Sequence, residues 1–183
     1  MSPADVPHDA PLHLVFMGVS GSGKSTAMLA VRDLLGWESA EGDDFHPPAN
    51  VAKMASGRPL TDADRWGWLE SLAAWTKERD DAGTPTLISC SALRRSYRDV
   101  LRRGGERTFF VHLVGDKGLL LQRMESREHF MPSTLLESQL DTLEQLQPDE
   151  DGMVVDVAHP PSLIGALVLA RLDLEPQEPP AVR

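Results

Sequence analysis

The sequence predicts an α/β protein whose parallel β-sheet carries helices on both faces. Three observations predict it. Short apolar runs alternate with helical segments along the chain. A glycine-rich loop, Gly18-Val19-Ser20-Gly21-Ser22-Gly23-Lys24-Ser25, stands between the first apolar run and the first helix. Residues suited to ligand chemistry follow the predicted strands, and in parallel sheets ligands gather at the strands' carboxyl ends.

Leu12-His13-Leu14-Val15-Phe16-Met17, bounded by Pro11 and Gly18, reads as a buried strand. A helix over 25–35 follows the loop and is ended by Gly36. Residues 37–40 form a second short strand leading into the acidic Gly42-Asp43-Asp44, and 50–56 a short helix closed by Gly57. Thr61 offers an N-cap, with Asp62 and Asp64 in the first helical turn. The helix after it sets Trp68, Leu69, Leu72 and Trp75 on one face until Gly83. A strand is predicted over 84–90, a basic helix over 94–103, a third clear strand over 108–114 and a helix over 117–126. Glu128-His129-Phe130-Met131-Pro132 breaks the pattern, and Ser133 then caps a helix through 145 with Leu136, Leu140 and Leu143 on one side. The last strand is 153–157 and the last helix 162–172. The expected organisation is a flexible tail over 1–11, one domain over 12–173 with a small helical lid at about 123–135, and a flexible tail over 174–183.

The chain has 183 residues, 41% of them hydrophobic, enough for one cored domain. A formal charge of -10 would repel a phosphate backbone, which argues against nucleic acid as the main partner. Cys90 is the only cysteine, so neither an intrachain disulfide nor a cysteine-based zinc site is available, as suits a reducing compartment. No apolar run approaches the roughly 20 residues that span a bilayer. The first eleven residues hold three prolines and two Asp, without the basic start of a secretory signal. A cytoplasmic location is expected.

Phosphoryl transfer requires a polyanion to be held while more charge develops on it. A glycine-rich loop can aim successive backbone N–H groups at a β-phosphate because no Cβ blocks the approach, and the helix N-terminus adds positive potential there. Gly18 to Ser25 would cradle ATP, Lys24 would reach the β/γ oxygens, Ser25 would hold Mg²⁺ and Thr26 would contact the α-phosphate. Such loops also serve switches and motors, so the loop alone does not specify a kinase.

Asp43, just past the second strand, can accept a substrate hydroxyl proton or orient a Mg²⁺ water. His46 could donate to a substrate hydroxyl or carboxylate, although a lone histidine is more often structural. Arg65, Arg94 and Arg98 are candidate anion clamps, each equally readable as a surface or salt-bridged arginine. Arg123 and Arg127 flank a helix end before the Pro-bounded segment, which suits a lid over the γ-phosphate or a solvated helix face. Trp66, Trp68 and Trp75 read as packing residues.

With these residues in place the chain resembles the gluconokinases of the short P-loop type, relatives of the shikimate kinases, over about residues 12–172. Met17 to Ser25 matches the family's loop, and Gly42-Asp43 with His46-Pro47 its acidic-histidine loop. The run from Asn50 to Arg65 is more specific still. Cys90-Ser91-Ala92-Leu93 with Tyr97-Arg98-Asp99, His129-Phe130-Met131, and Ser138-Gln139 with Leu143-Glu144 also match. The resemblance implies a P-loop NTPase fold and transfer of the ATP γ-phosphate to the 6-hydroxyl of D-gluconate. It implies Asp43 as base or metal organiser, His46, Lys53, Arg65 and Arg98 at the gluconate site, Arg123 and Arg127 in the lid, and a homodimer. Gly67 stands where the family has proline, and Glu128 adjoins His129 where a glycine is usual.

Rival readings predict other residues. A shikimate kinase would carry Asp-x-Asp after the second strand and Gly-Gly-Gly after the third, where this chain has Asp43-Asp44 and Cys90 to Leu93. A nucleoside monophosphate kinase leaves the run from Lys53 to Arg65 without a reason. A binding module that holds ATP without turnover does not need Lys24, Ser25 and Asp43 together.

Overall fold

The central strand of the sheet is the first one the chain forms. Strand β1 (Leu12–Met17) is buried along its whole length, in a computed structural model that describes residues 10–125 and 133–177. Its one polar residue, His13, is satisfied between Thr86 Oγ1 at 2.8 Å and Asp80 Oδ1 at 3.1 Å. The other strands are β2 (Glu38–Glu41), β3 (Thr86–Ser89), β4 (Arg107–Val114) and β5 (Gly152–Asp156). All pair in parallel, in the order β2-β3-β1-β4-β5. The chain moves to one side of β1 for β2 and β3 and then to the other for β4 and β5. The carboxyl end of β1 therefore opens at the switch point where ligands bind in such sheets.

The helices are α1 (Lys24–Leu35), α2 (Pro48–Ala55), α3 (Asp62–Asp81), α4 (Arg95–Arg102), α5 (Lys117–Glu125), α6 (Ser133–Thr142) and α7 (Pro161–Leu172). Strand alternation gives the sheet two apolar faces. On one, Leu14, Phe16, Val111 and Leu113 pack against Met28 and Val31 of α1, Leu120 and Met124 of α5, Leu136 of α6, and Ile164 and Val168 of α7. On the other, Val15, Met17, Ile88 and Phe110 pack against Trp68, Leu69 and Leu72 of α3 and Tyr97 and Leu101 of α4. Among the described residues no helix is long and apolar enough to cross a membrane.

Two boundaries show the chemistry behind them. α1 begins after Gly23 at φ 81° and ends at Gly36, whose N–H returns to Arg32 O, both in the left-handed region that suits glycine. α3 begins with a reciprocal capping box between Thr61 and Asp64. The second strand lies one residue later than predicted, ending on Glu41 rather than residue 40. The C-terminal tail does not start at 174: Gln177 N–H donates to Leu34 O at 2.8 Å, so 174–177 fold back onto the end of α1. Most of the predicted lid, 126–132, lies outside the described residues.

Candidate active site

The site is assembled where β1, β2 and β3 end. Cys90 N–H donates to Phe16 O and Gly18 N–H to Ser91 O, tying the loop after β1 to the loop after β3. Inside the glycine-rich loop Ser22 N–H closes on Val19 O at 3.3 Å, and Lys24 Nζ donates to Val19 O at 3.1 Å. The loop delivers the N-terminus of α1, whose first N–H groups have no intrahelical acceptor. A groove of about 290 Å³ runs beside it, lined by Gly21, Gly23, Thr26, Arg123, Val157 and His159 among others. Arg123 is held there by donating to Val157 O at 2.8 Å. Arg127 lies outside the described residues.

Glu41 enters the site without having been singled out in the sequence. The Ser25 hydroxyl donates to Glu41 Oε2 at 2.8 Å, with Ser89 Oγ 3.5 Å away. Asp43 follows two residues later in the 3-10 turn Gly42–Phe45, its side chain 91% exposed. The acid that accompanies Asp43 at the end of β2 is thus Glu41. The signal was an acid at a strand's last residue, hidden by placing the strand end one position early. Gly42 separates the two acids because a Cβ there would lie 2.4 Å from Ser89 O. A hydroxyl paired with a carboxylate suits a hard cation that also takes phosphate and water oxygens. Among the described residues no cluster of three or more His, Cys, Asp or Glu could hold a metal by itself.

The turn is braced from below. Trp68, 2% exposed, donates its indole N–H to Gly42 O at 2.6 Å and stacks on His46 with ring centroids 4.2 Å apart. Trp68 is therefore more than the packing residue its helical face suggested. Asn50 Nδ2 donates to Asp64 O at 2.7 Å and faces His46 Nδ1 at 3.4 Å. That makes Nδ1 the acceptor and leaves the His46 proton on Nε2, 4.0 Å from Asp43 Oδ1. Burial holds the His46 pKa below its ordinary value; Asp43 raises it and Arg65 lowers it further.

Asp62, the first residue of α3, gathers a cluster. Its Oδ1 accepts from Tyr97 Oη at 2.5 Å and Arg65 Nη1 at 3.4 Å, and its Oδ2 from Arg94 Nη1 at 2.8 Å. The Tyr97 hydrogen bond is the main cause of a depressed Asp62 pKa, with Arg94 and Arg65 adding to it. Arg65 Nη1 also reaches Tyr97 Oη at 3.3 Å. Lys53 instead pairs with Asp64 at 2.5 Å, tying α2 to the capped start of α3. Cys90 lies beneath the site, its thiol pushed up to about 12 by burial, and serves packing.

Arg98 is not a substrate clamp. Its Nε and Nη2 donate to the two Glu150 oxygens at 2.7 Å each. Nη1 donates to Ala92 O and Glu144 O, and Nη2 also to Gln145 O. All five guanidinium N–H groups are satisfied inside the protein, and both side chains are 0% exposed. Burial raises the Glu150 pKa, but the Arg98 hydrogen bond, the Gln147 N–H, the Arg98 charge and the Arg102 hydrogen bond outweigh it and bring the group down to about 2.

No family profile matches the chain. It is similar to a gluconokinase of Gluconobacter oxydans, 47% identical over 162 residues that cover 86% of this chain and 90% of the relative. The crystal structure of a gluconokinase from Sinorhizobium meliloti is similar at 45% identity and a TM-score of 0.79, covering 90% of this chain and 95% of that one. A shikimate kinase from Aquifex aeolicus, 15% identical with a TM-score of 0.56 over 88% of this chain and 96% of that one, shares the fold alone.

Proposed function

The chain belongs to the gluconokinase family, phosphorylating gluconate to 6-phosphogluconate with ATP, and we propose the following division of roles among its residues. The carrying observation is the convergence of Lys24, the Ser25–Glu41 pair at 2.8 Å and Asp43 where β1, β2 and β3 end.

The N–H groups of Gly21 and of Gly23 to Ser25 hold the β-phosphate, and Lys24 Nζ turns from Val19 O to the β/γ oxygens. Thr26 and Arg123 border the groove that takes the rest of the nucleotide. Ser25 Oγ, Glu41 and Asp43 would hold Mg²⁺, which when bound would neutralise charge developing on the phosphates. Asp43 accepts the proton of the gluconate 6-hydroxyl as that oxygen bonds to the γ-phosphorus and the bond to the ADP oxygen breaks. His46, with its proton on Nε2, donates to Asp43 or to a neighbouring substrate hydroxyl. Arg65 keeps N–H donors beyond those given to Asp62 and Tyr97, and with Arg94 it takes the gluconate carboxylate. Lys53 acts indirectly, holding α2 against α3. Arg127 is carried by family resemblance alone. A homodimer in the cytoplasm completes the reading; light scattering on the purified chain tests the dimer.

The test is ADP release with Mg-ATP and D-gluconate, compared with shikimate, AMP and no acceptor. Turnover on gluconate alone, at roughly 1–100 per second, is the expected result. Turnover on another acceptor with none on gluconate would overturn it.

A further inference from the structure

We propose that Gln139 belongs to the terminal-phosphate site of the nucleotide, where it exchanges the Ser20 N–H for a hydrogen bond to the γ-phosphate. The proposal rests on the phosphoryl-transfer reading above and adds to it a residue that distinguishes ATP from ADP.

Gln139 lies on α6, 119 residues from the glycine-rich loop, yet its Oε1 accepts the Ser20 N–H at 2.6 Å. Because Ser20 N can only donate, the facing atom must be the carboxamide oxygen. The neighbouring loop N–H groups are used differently. Gly18 donates to Ser91 O and Ser22 to Val19 O, backbone contacts that close the loop itself. Ser20 alone of these three gives its N–H to a side chain, and a side chain can rotate away without disturbing the loop. A phosphate oxygen is the stronger acceptor, since charge-assisted hydrogen bonds are about twice as strong as neutral ones.

The position points to the distal phosphate. The nucleotide groove is bordered by Gly21, Gly23 and Thr26 on the helical side of the loop, and neither Ser20 nor Gln139 lines it. The chain that follows the helix of Gln139 instead runs to the loop carrying Arg94. Beyond the end of its helix, Glu144 N–H donates to Leu93 O at 2.7 Å and the Glu144 carboxylate accepts from Arg95 N–H at 2.7 Å. These contacts sit next to Arg94, the partner of Asp62. When a γ-phosphate oxygen takes the Ser20 N–H, a half-turn of the carboxamide brings Nε2 to where Oε1 stood. Its two donors, which have no hydrogen-bond partner among the described residues, then meet the phosphate. ADP has no oxygen there, so the Ser20–Gln139 bond persists with ADP bound.

The experiment measures affinities for ADP and for a β,γ-imido ATP analogue, both with Mg²⁺, on the wild-type chain and the variants Gln139→Ala and Gln139→Glu. Gln139→Ala is expected to weaken the analogue roughly tenfold and leave ADP unchanged. Gln139→Glu preserves the side chain's shape and its acceptor for Ser20, so it should weaken the analogue further by repulsion while ADP still binds. Equal shifts for both nucleotides, or no shift for either, overturn the proposal. A wild-type chain that binds neither nucleotide overturns the phosphoryl-transfer reading itself, a distinct result.

Discussion

Arg98 and Glu150 meet side by side, two hydrogen bonds of 2.7 Å joining Nε and Nη2 to the two carboxylate oxygens, with neither side chain reaching solvent. Removing one member leaves the other charge buried and unpaired, which costs roughly 3–5 kcal/mol. Arg98→Met is therefore expected to lower Tm by roughly 6–20 °C while leaving KM for gluconate unchanged below the transition. A tenfold rise in that KM at unchanged Tm would return Arg98 to the substrate site.

Asp43 is exposed and, as general base, acts chiefly on a proton, with Ser25 and Glu41 carrying most of the hold on Mg²⁺. Asp43→Asn should lower kcat by about 10²–10⁴-fold with ADP affinity retained, as read by steady-state kinetics and calorimetry. Loss of nucleotide affinity by the same factor would assign Asp43 to the metal alone.

Glu41 has a different signature because it touches Ser25. Glu41→Gln keeps the side chain's size and a hydrogen-bonding oxygen but removes the charge. Rates measured against Mg²⁺ concentration should show half-saturation moving at least several-fold upward, with KM for gluconate constant. An unchanged Mg²⁺ dependence would limit Glu41 to orienting the Ser25 hydroxyl.

Trp68 supports the turn that carries Asp43. Trp68→Phe keeps a ring against His46 but strands the buried Gly42 carbonyl, a loss of about 1–3 kcal/mol. Part of that loss should appear as a kcat reduced about tenfold, with ATP affinity close to wild type. A drop in Tm with unchanged kcat would make the indole bond purely structural.

His112 on β4 is fully buried, and neither ring nitrogen has a hydrogen-bond partner. Burial, and then the neighbouring Arg98 charge, depress its pKa to about 4. The folded chain therefore resists a proton that the unfolded chain accepts near 6.5, so stability falls as pH drops from about 6.5 towards 4. The loss reaches about 1.4 kcal/mol per pH unit for this group. His13 and His46, also lowered mainly by burial, act in the same direction. Glu150 has the opposite charge type and a depressed pKa, so its contribution is lost only below about pH 4.5, on the way to 2. Denaturant titrations at several pH values should show His112→Leu shallower than wild type between pH 6 and 4.5.

Much of this was legible in the chain itself. Gly18 to Ser25 encodes a phosphate cradle locally, because backbone freedom at glycine, a following helix and one lysine suffice for it. β1, 12–17, was readable to the residue, since a run of six buried positions bounded by proline and glycine leaves little alternative. Most residues proposed for the acceptor side stand close together in the chain, between 43 and 65. What the residues could not reveal was which of several similar groups faces the ligand. Arg94 and Arg98 look alike on paper, but α4 runs away from the carboxyl edge of the sheet. Four residues of rise, about 6 Å, carry Arg98 from that edge into the core beside Glu150, 52 residues on. Glu41 reached Ser25, and Gln139 reached Ser20, only when β2 and α6 took their places around β1. The sequence by itself determined the chemistry available and the family. The tertiary structure alone decided which side chains meet, because contacts between distant segments depend on how the elements pack, and no local pattern records that.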